Sequence, residues 1–379
     1  MKSPPLSFED VVLAYFQCRK NKRNSHYALE FEINLERNLY DLYLELKSGE
    51  YEIGRSIAFV VEQPKIREIW SATFRDRVVH HVIYNRLFPR FYPRFIENTF
   101  ACIPGRGTLR ASDRLLSGIR SITANGREKS YFLGADVRNF FVSIHKPTLM
   151  ALLEKKISEG WLRQLVKQVL FHDPRKNCTL KSKSAAFARV PGHKSLWKTP
   201  GDRGLPIGNL TSQFFANVYL NELDQFVKHK LRASYYYRYV DDVVILDPSP
   251  SYLNHCFAEM DSFLEQNLKL ILHPYKKRLG LVNQGVDFVG YVHFPYYRLA
   301  RVRTIHKVNS LVHQWKKNPN GFEQKNLEKL RASYNAYMGV IRWGKTYKVR
   351  KNLGDRVNCL FARPDRDYTK IILNAGSSS

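Results

Sequence analysis

Three aspartates stand where a chain can hold hard cations. Asp241 and Asp242 close the string Tyr239-Val240-Asp241-Asp242, and Asp136 ends the apolar run from Tyr131 to Ala135. Tyr235 to Leu246 reads as a strand, a tight turn and a second strand, with the acidic pair at the turn. A buried strand ending in Asp136 delivers its carboxylate to a sheet edge in the same way. Mg²⁺ prefers oxygen ligands and keeps several waters, so two or three Asp residues on adjacent strands suffice to hold it. Two such ions about 4 Å apart are what nucleotidyl transfer needs, one to sharpen an attacking hydroxyl and one to hold a triphosphate and its leaving group. Carboxylates brought this close repel one another unless a cation neutralises them. Taken alone the string is a modest signal, because an Asp-Asp turn is commonly just solvated.

The elements that must position these groups follow from hydrophobic periodicity. Phe8 to Gly54 reads as largely helical, with Leu35, Leu39, Leu42 and Leu46 on one face. Val60 to Trp70 reads as a strand pair broken at Gln63 and Pro64, and Asp76 to Phe91 as a helix. His172 to Gly204 is polar and basic, with several Pro and Gly residues, and predicts a long loop or small insertion. From Gln213 to His229, Phe214, Phe215, Val218, Tyr219, Leu223, Phe226 and Val227 make one helical stripe. After Gly290 two more stripes predict a separate helical lobe. One holds Ile305, Val308, Leu311, Val312 and Trp315, the other Leu327, Leu330, Tyr334, Tyr337, Met338 and Ile341.

Composition limits the partners. The 379 residues are 44% apolar, enough for a sizeable core, and 61 Lys and Arg against 34 Asp and Glu give a formal charge of +27. Such an excess attracts polyanions, nucleic acid first. No apolar run approaches the ~20 residues of a spanning helix, and Met1 to Asp10 lacks the layout of a secretory signal. A cytoplasmic protein without a membrane partner is expected. Five scattered cysteines, never in a Cys-x-x-Cys pair, argue against a disulfide frame or structural zinc. Lys316, Lys325, Arg331, Arg342, Lys348 and other basic residues of the last lobe are candidates for phosphate contacts.

The aspartates have ordered company, and with it the chain resembles reverse transcriptases from about Phe59 to Tyr291. Pro64-Lys65-Ile66-Arg67, Phe74-Arg75-Asp76-Arg77 and Ala101-Cys102-Ile103-Pro104-Gly105-Arg106-Gly107 are similar to the fingers motifs of that family. Asp136-Val137-Arg138-Asn139-Phe140-Phe141 looks like its first catalytic strand and turn, and Gly204-Leu205-Pro206-Ile207-Gly208-Asn209-Leu210-Thr211-Ser212-Gln213 like the loop and helix under template and incoming base. Tyr239 to Asp242 follows, then Leu272-His273-Pro274-Tyr275-Lys276-Lys277, and finally Val286-Asp287-Phe288-Val289-Gly290-Tyr291, similar to a primer-grip hairpin.

The resemblance implies an α+β right-hand polymerase fold. Its parts would be an N-terminal helical extension (1–58), fingers (59–130), a palm with an antiparallel sheet (131–291) carrying a basic insertion near 172–203, and a helical thumb and tail (292–379). It implies two Mg²⁺ ions, with Mn²⁺ as a substitute, held by Asp136, Val137, Asp241 and Asp242. Lys65 and Arg67 would neutralise the triphosphate, Arg67 by forked hydrogen bonds. Phe140 and Phe141 belong to the nucleotide pocket, where the Phe141 ring lies beneath the incoming sugar and clashes with a 2′-hydroxyl, favouring DNA product. Gly208 lets backbone approach the nucleotide closely. Lys276, or else Lys277, would protonate the pyrophosphate.

Ile207-Gly208 stands where most members carry Gln-Gly, and Ser212-Gln213 where many carry Ser-Pro. Both departures resemble the enzymes of diversity-generating retroelements and related bacterial lineages, some of which serve in antiphage defence. A Gln amide can hold the nascent base pair and Ile cannot, which implies reduced copying fidelity. No ribonuclease H, maturase or endonuclease segment is expected, since the roughly 90 residues after Tyr291 suit a compact thumb. The implied partners are dNTPs, a DNA or RNA primer, a cognate structured non-coding RNA as template, and an accessory protein or second polymerase. Two other readings stay open: a polymerase making untemplated, self-primed or protein-primed DNA, and an RNA-binding scaffold without activity.

Overall fold

The computed structural model describes residues 5–20, 25–63, 65–318, 320, 323–359 and 362–374. The expectations on residues 1–4, on Pro64, and on the last five residues of the tail lie outside the described residues. The strands are β1 (Ser56–Val61), β2 (Arg67–Ser71), β3 (Tyr131–Asp136), β4 (Cys178–Leu180), β5 (Tyr235–Tyr239) and β6 (Asp242–Asp247). They continue with β7 (Arg278–Leu281), β8 (Val286–Phe288), β9 (Tyr291–His293), β10 (Arg298–Ala300), β11 (Ala362–Pro364) and β12 (Ile371–Leu373). Sheet orders are β2-β1-β4, β5-β6-β3-β7, β10-β9-β8 and β11-β12. One compact unit comprises the chain to Pro104 with Ala135–Val243 and Asn254–Lys277; the other comprises Gly105–Gly134, Val244–Leu253 and the chain from Arg278.

The first unit opens with helices Phe8–Arg19, His26–Glu32 and Leu35–Ser48, in the region expected to be helical. Ser7 and Asp10 close a capping box on the first, and Gly49, at φ +84°, ends the third. Leu39, Leu42 and Leu46 are buried and Leu35 half-buried, as their spacing predicts. β1 and β2 pair antiparallel from Ile57 opposite Ser71 to Val61 opposite Arg67, so the first strand begins before Val60. The helix Phe74–Phe91 is capped by Thr73, whose hydroxyl also donates to the buried Asp76 carboxylate at 2.6 Å. The helix Leu210–His229 buries Phe214, Phe215, Val218, Tyr219, Leu223 and Val227, and its half-buried Phe226 stacks on Phe263 at 4.4 Å.

The stretch expected as a loop or small insertion has more order than its composition suggests. It contributes β4, which pairs parallel with β1, and a helical turn at Ser184–Ala188. The cause is a burial in the neighbouring hairpin: Glu68 of β2, 4% exposed, accepts from the Leu196 amide at 2.8 Å and from the Ser195 hydroxyl. A carboxylate there requires partners, and the insertion supplies them.

In the second unit the helices Val302–Lys317, Gln324–Ile341 and Tyr347–Val357 build a core on Val308, Val312, Leu327, Leu330, Tyr334 and Met338. The β8–β9 turn has Val289 at φ +44° and Gly290 at φ +97°, the two left-handed residues a tight hairpin needs. The expectation of helices alone after Gly290 is incomplete, because β9, β10 and the β11–β12 pair also lie there. Three-residue strands are too short to leave a periodic signal.

Candidate active site

β3 ends at Asp136 and β6 begins at Asp242, so strand geometry brings two of the three aspartates to strand ends. The Val137 amide donates to the Asp241 carbonyl at 3.2 Å, tying the two chain segments together. The Asp136 and Asp241 carboxylates lie within electrostatic reach of each other. Asp241 is raised well above the ordinary carboxylate range, first by burial, then by the charge of Asp136, with a smaller push from Asp242. Among the described residues no three Asp, Glu, His or Cys side chains converge as a ready metal cluster. Asp136 lies beside Asp241, and Asp242 adds its charge from the next position.

The two lysine alternatives separate. The His273 amide donates to the Asp136 carbonyl at 2.7 Å and the Lys276 amide to the His273 carbonyl at 3.1 Å, a turn that folds Lys276 back. Its ammonium pairs with the Asp136 carboxylate. Lys277 instead donates to Asn254 Oδ1 at 2.7 Å and lies 4.5 Å over the Phe257 ring.

The turn that presents Asp241 is strained. Val240 has φ +56°, an outlier for a β-branched residue. Its carbonyl accepts from Arg238 Nη1 at 2.9 Å, and Arg238 is gripped by Asp224 through two bonds of 2.7 and 2.6 Å. Both side chains are fully buried. Asp224 further accepts from Tyr236 and Thr99, each at 2.7 Å, so the carboxylate is saturated. Sequence reasoning missed this pair. Its signal was a charge inside the apolar strand before Tyr239 and another inside the apolar stripe of Leu210–His229.

Asn139, at φ +49°, turns the chain into the one-turn helix Phe140–Ser143. Phe140 is buried and Phe141 half-buried, their rings 5.4 Å apart at 62°. The Leu205 amide donates to the Phe141 carbonyl at 2.8 Å, and the Trp70 amide to the Ile207 carbonyl at 2.7 Å. The loop before Leu210 is thus fastened on one side to the helix after Asp136 and on the other to β2. Gly208, at φ +134°, lies so close that a Cβ would stand 2.8 Å from the Trp70 carbonyl oxygen and 3.0 Å from Ile69 Cγ2. Lys65 and Arg67 are exposed, Lys65 between β1 and β2 and Arg67 at the start of β2.

Residues 62–293 match the family described as reverse transcriptase (RNA-dependent DNA polymerase). The chain belongs to that family, and its fold class is the family's α+β right-hand polymerase fold. It is 26% identical over 195 residues to the uncharacterized 91 kDa protein in cob intron of Schizosaccharomyces pombe, covering 51% of this chain but 21% of that protein's length. It is 23% identical over 297 residues to Protein YkfC of Escherichia coli, covering 69% of this chain and 70% of the other. Among solved structures it is similar to telomerase from Candida albicans in complex with a TWJ fragment of telomeric RNA, at 12% identity and a TM-score of 0.43, over 82% of this chain and 60% of that one. No helix among the described residues is long and apolar enough to cross a membrane.

Proposed function

We propose that this chain copies an RNA template into DNA by adding dNTPs to a DNA or RNA primer. The observation that carries the reading is the Asp136–Asp241 pair, two carboxylates held side by side with Asp241 pushed up by burial and by its neighbour. The two carboxylates offer oxygen ligands, and their mutual repulsion is what a divalent cation relieves. Asp136, Asp241, Asp242 and the Val137 backbone would hold two Mg²⁺ ions, with Mn²⁺ as a substitute. Such ions, when bound, activate the primer hydroxyl and neutralise the triphosphate. Lys276, already paired with Asp136, would give a proton to pyrophosphate, while Lys65 and Arg67 would offer charge to the phosphates. Phe140 supports Phe141, whose half-buried ring would exclude a 2′-hydroxyl beside Ile207 and Gly208.

In this reading 1–58 is an N-terminal extension, 59–130 the fingers, 131–291 the palm with its insertion, and 292–379 the thumb. Ile207-Gly208 and Ser212-Gln213 support membership of the diversity-generating retroelement or antiphage-defence lineages. The template is then a cognate structured non-coding RNA, in the cytoplasm, with an accessory protein or second polymerase as partner.

The test is extension of a primed RNA template with Mg²⁺ and dNTPs. Asp241→Ala with Asp242→Ala should lower incorporation by about 10³-fold or more. Equal incorporation by the double variant, or incorporation that survives chelation, would sink the reading; product of equal yield without RNA would replace it by untemplated synthesis.

A further inference from the structure

The insertion at 172–203 contains eight Lys or Arg, two Asp and no Glu. It is not a loose basic loop. The Lys181 amide donates to the Ala58 carbonyl at 2.8 Å, and the Val60 amide to Ser182 Oγ at 3.0 Å. Arg175 forks onto Asp173 at 2.7 and 2.9 Å and donates to the Leu196 and Thr199 carbonyls at 3.0 and 2.7 Å. Backbone and half-buried side chains thus anchor the segment from within, while Lys176, Lys183, Lys194 and Lys198 are exposed.

Between two of these lysines in sequence lies Trp197, 40% exposed. Its ring leans on Trp70 with centroids 5.0 Å apart, and Trp70 is the residue whose amide holds the Ile207 carbonyl at 2.7 Å. An indole that rests at 58° against a buried Trp70 and is itself exposed offers a ring on which a base can stack, and it rests against the strand that fastens the Ile207–Gly208 loop. Lysines alone suit any polyanion. The indole beside them favours one that offers open base faces, which single strands do and duplexes do not.

We infer that the 172–203 insertion is a docking surface for single-stranded RNA, with a base on Trp197 and phosphates on Lys194 and Lys198. The choice of RNA rests on the function proposed above, in which the strand reaching the Ile207–Gly208 loop is an RNA template; the choice of a single strand rests on the surface alone.

The test measures binding by the full chain, without dNTPs, to labelled primer–template duplexes whose 5′ RNA overhang is about 20 or about 2 nucleotides, lengths that do and do not span a typical single-strand site. The long overhang should bind more tightly, and Trp197→Ala should remove about tenfold of that gain. Lys194→Ala with Lys198→Ala should lower the single-strand salt slope by about 0.7 for each phosphate no longer neutralised. Both variants should bind the short overhang as the parent does, and Trp197→Phe should restore the gain. The inference is overturned if either variant keeps the parent's long-to-short ratio, or weakens both duplexes equally. An all-DNA overhang with the same gain overturns the choice of RNA. Because no synthesis is read, a chain that cannot extend primers sinks the polymerase reading without touching this result.

Discussion

Arg238 and Asp224 form a fully buried, forked ion pair whose remaining guanidinium nitrogen holds the carbonyl of Val240, the left-handed residue just before Asp241. The pair therefore joins the helix Leu210–His229 to the turn that presents the carboxylates. Removing one partner leaves a buried charge unpaired, which costs about 3–5 kcal/mol. Asp224→Ala should lower unfolding free energy by that amount in urea titration. A loss below about 1 kcal/mol would mean that water reaches the site.

Lys276 and Lys277 are adjacent in sequence and differ in surroundings, one on Asp136, the other on Asn254 and Phe257. Lys276→Ala should lower kcat by about 10²-fold, the lower end of a general acid's contribution. Lys277→Ala should have the smaller effect, and Lys276→Arg should recover only part of the rate because its pKa is too high. Single-turnover incorporation measures all three, and equal losses in the two alanine variants would refute the assignment.

At Gly208 a methyl group meets the Trp70 carbonyl and the backbone sits where side chains are disfavoured. Gly208→Ala should destabilise by more than about 1 kcal/mol and displace the loop whose Leu205 amide is bonded to the Phe141 carbonyl. Thermal unfolding together with the KM for dNTP checks this, and an unchanged value in both would show that the loop relaxes freely.

His80 and His293 are buried and held down to about 4 from an ordinary 6.5, in each case chiefly by burial. The unfolded chain binds these protons first, so the stability they provide is complete above pH 6.5 and is lost as pH falls towards 4. Each contributes a slope of about 1.4 kcal/mol per pH unit in that window. Denaturant midpoints from pH 7.5 to 4.5 should show the decline, and His80→Gln should flatten it. Stability that rises on acidification would contradict the burial of both rings as neutral groups.

Local pattern was enough to read the strand that ends at Asp136, the strand–turn–strand around Tyr239–Asp242, the helix that buries Phe214 and Phe215, and the terminal stripes on Val308 and Leu327. Each depends on a period of two or near 3.6, or on turn chemistry, and these are written into consecutive residues. Tertiary structure alone decided that Asp136 comes beside Asp241, and that Lys276 rather than its neighbour reaches Asp136. It also decided that Arg238 is buried against Asp224 and that the basic insertion is ordered by Glu68. These relationships join residues up to about 140 positions apart. Whether such a charge is buried, and what then compensates it, depends on which segments the fold brings together, and no local period encodes that.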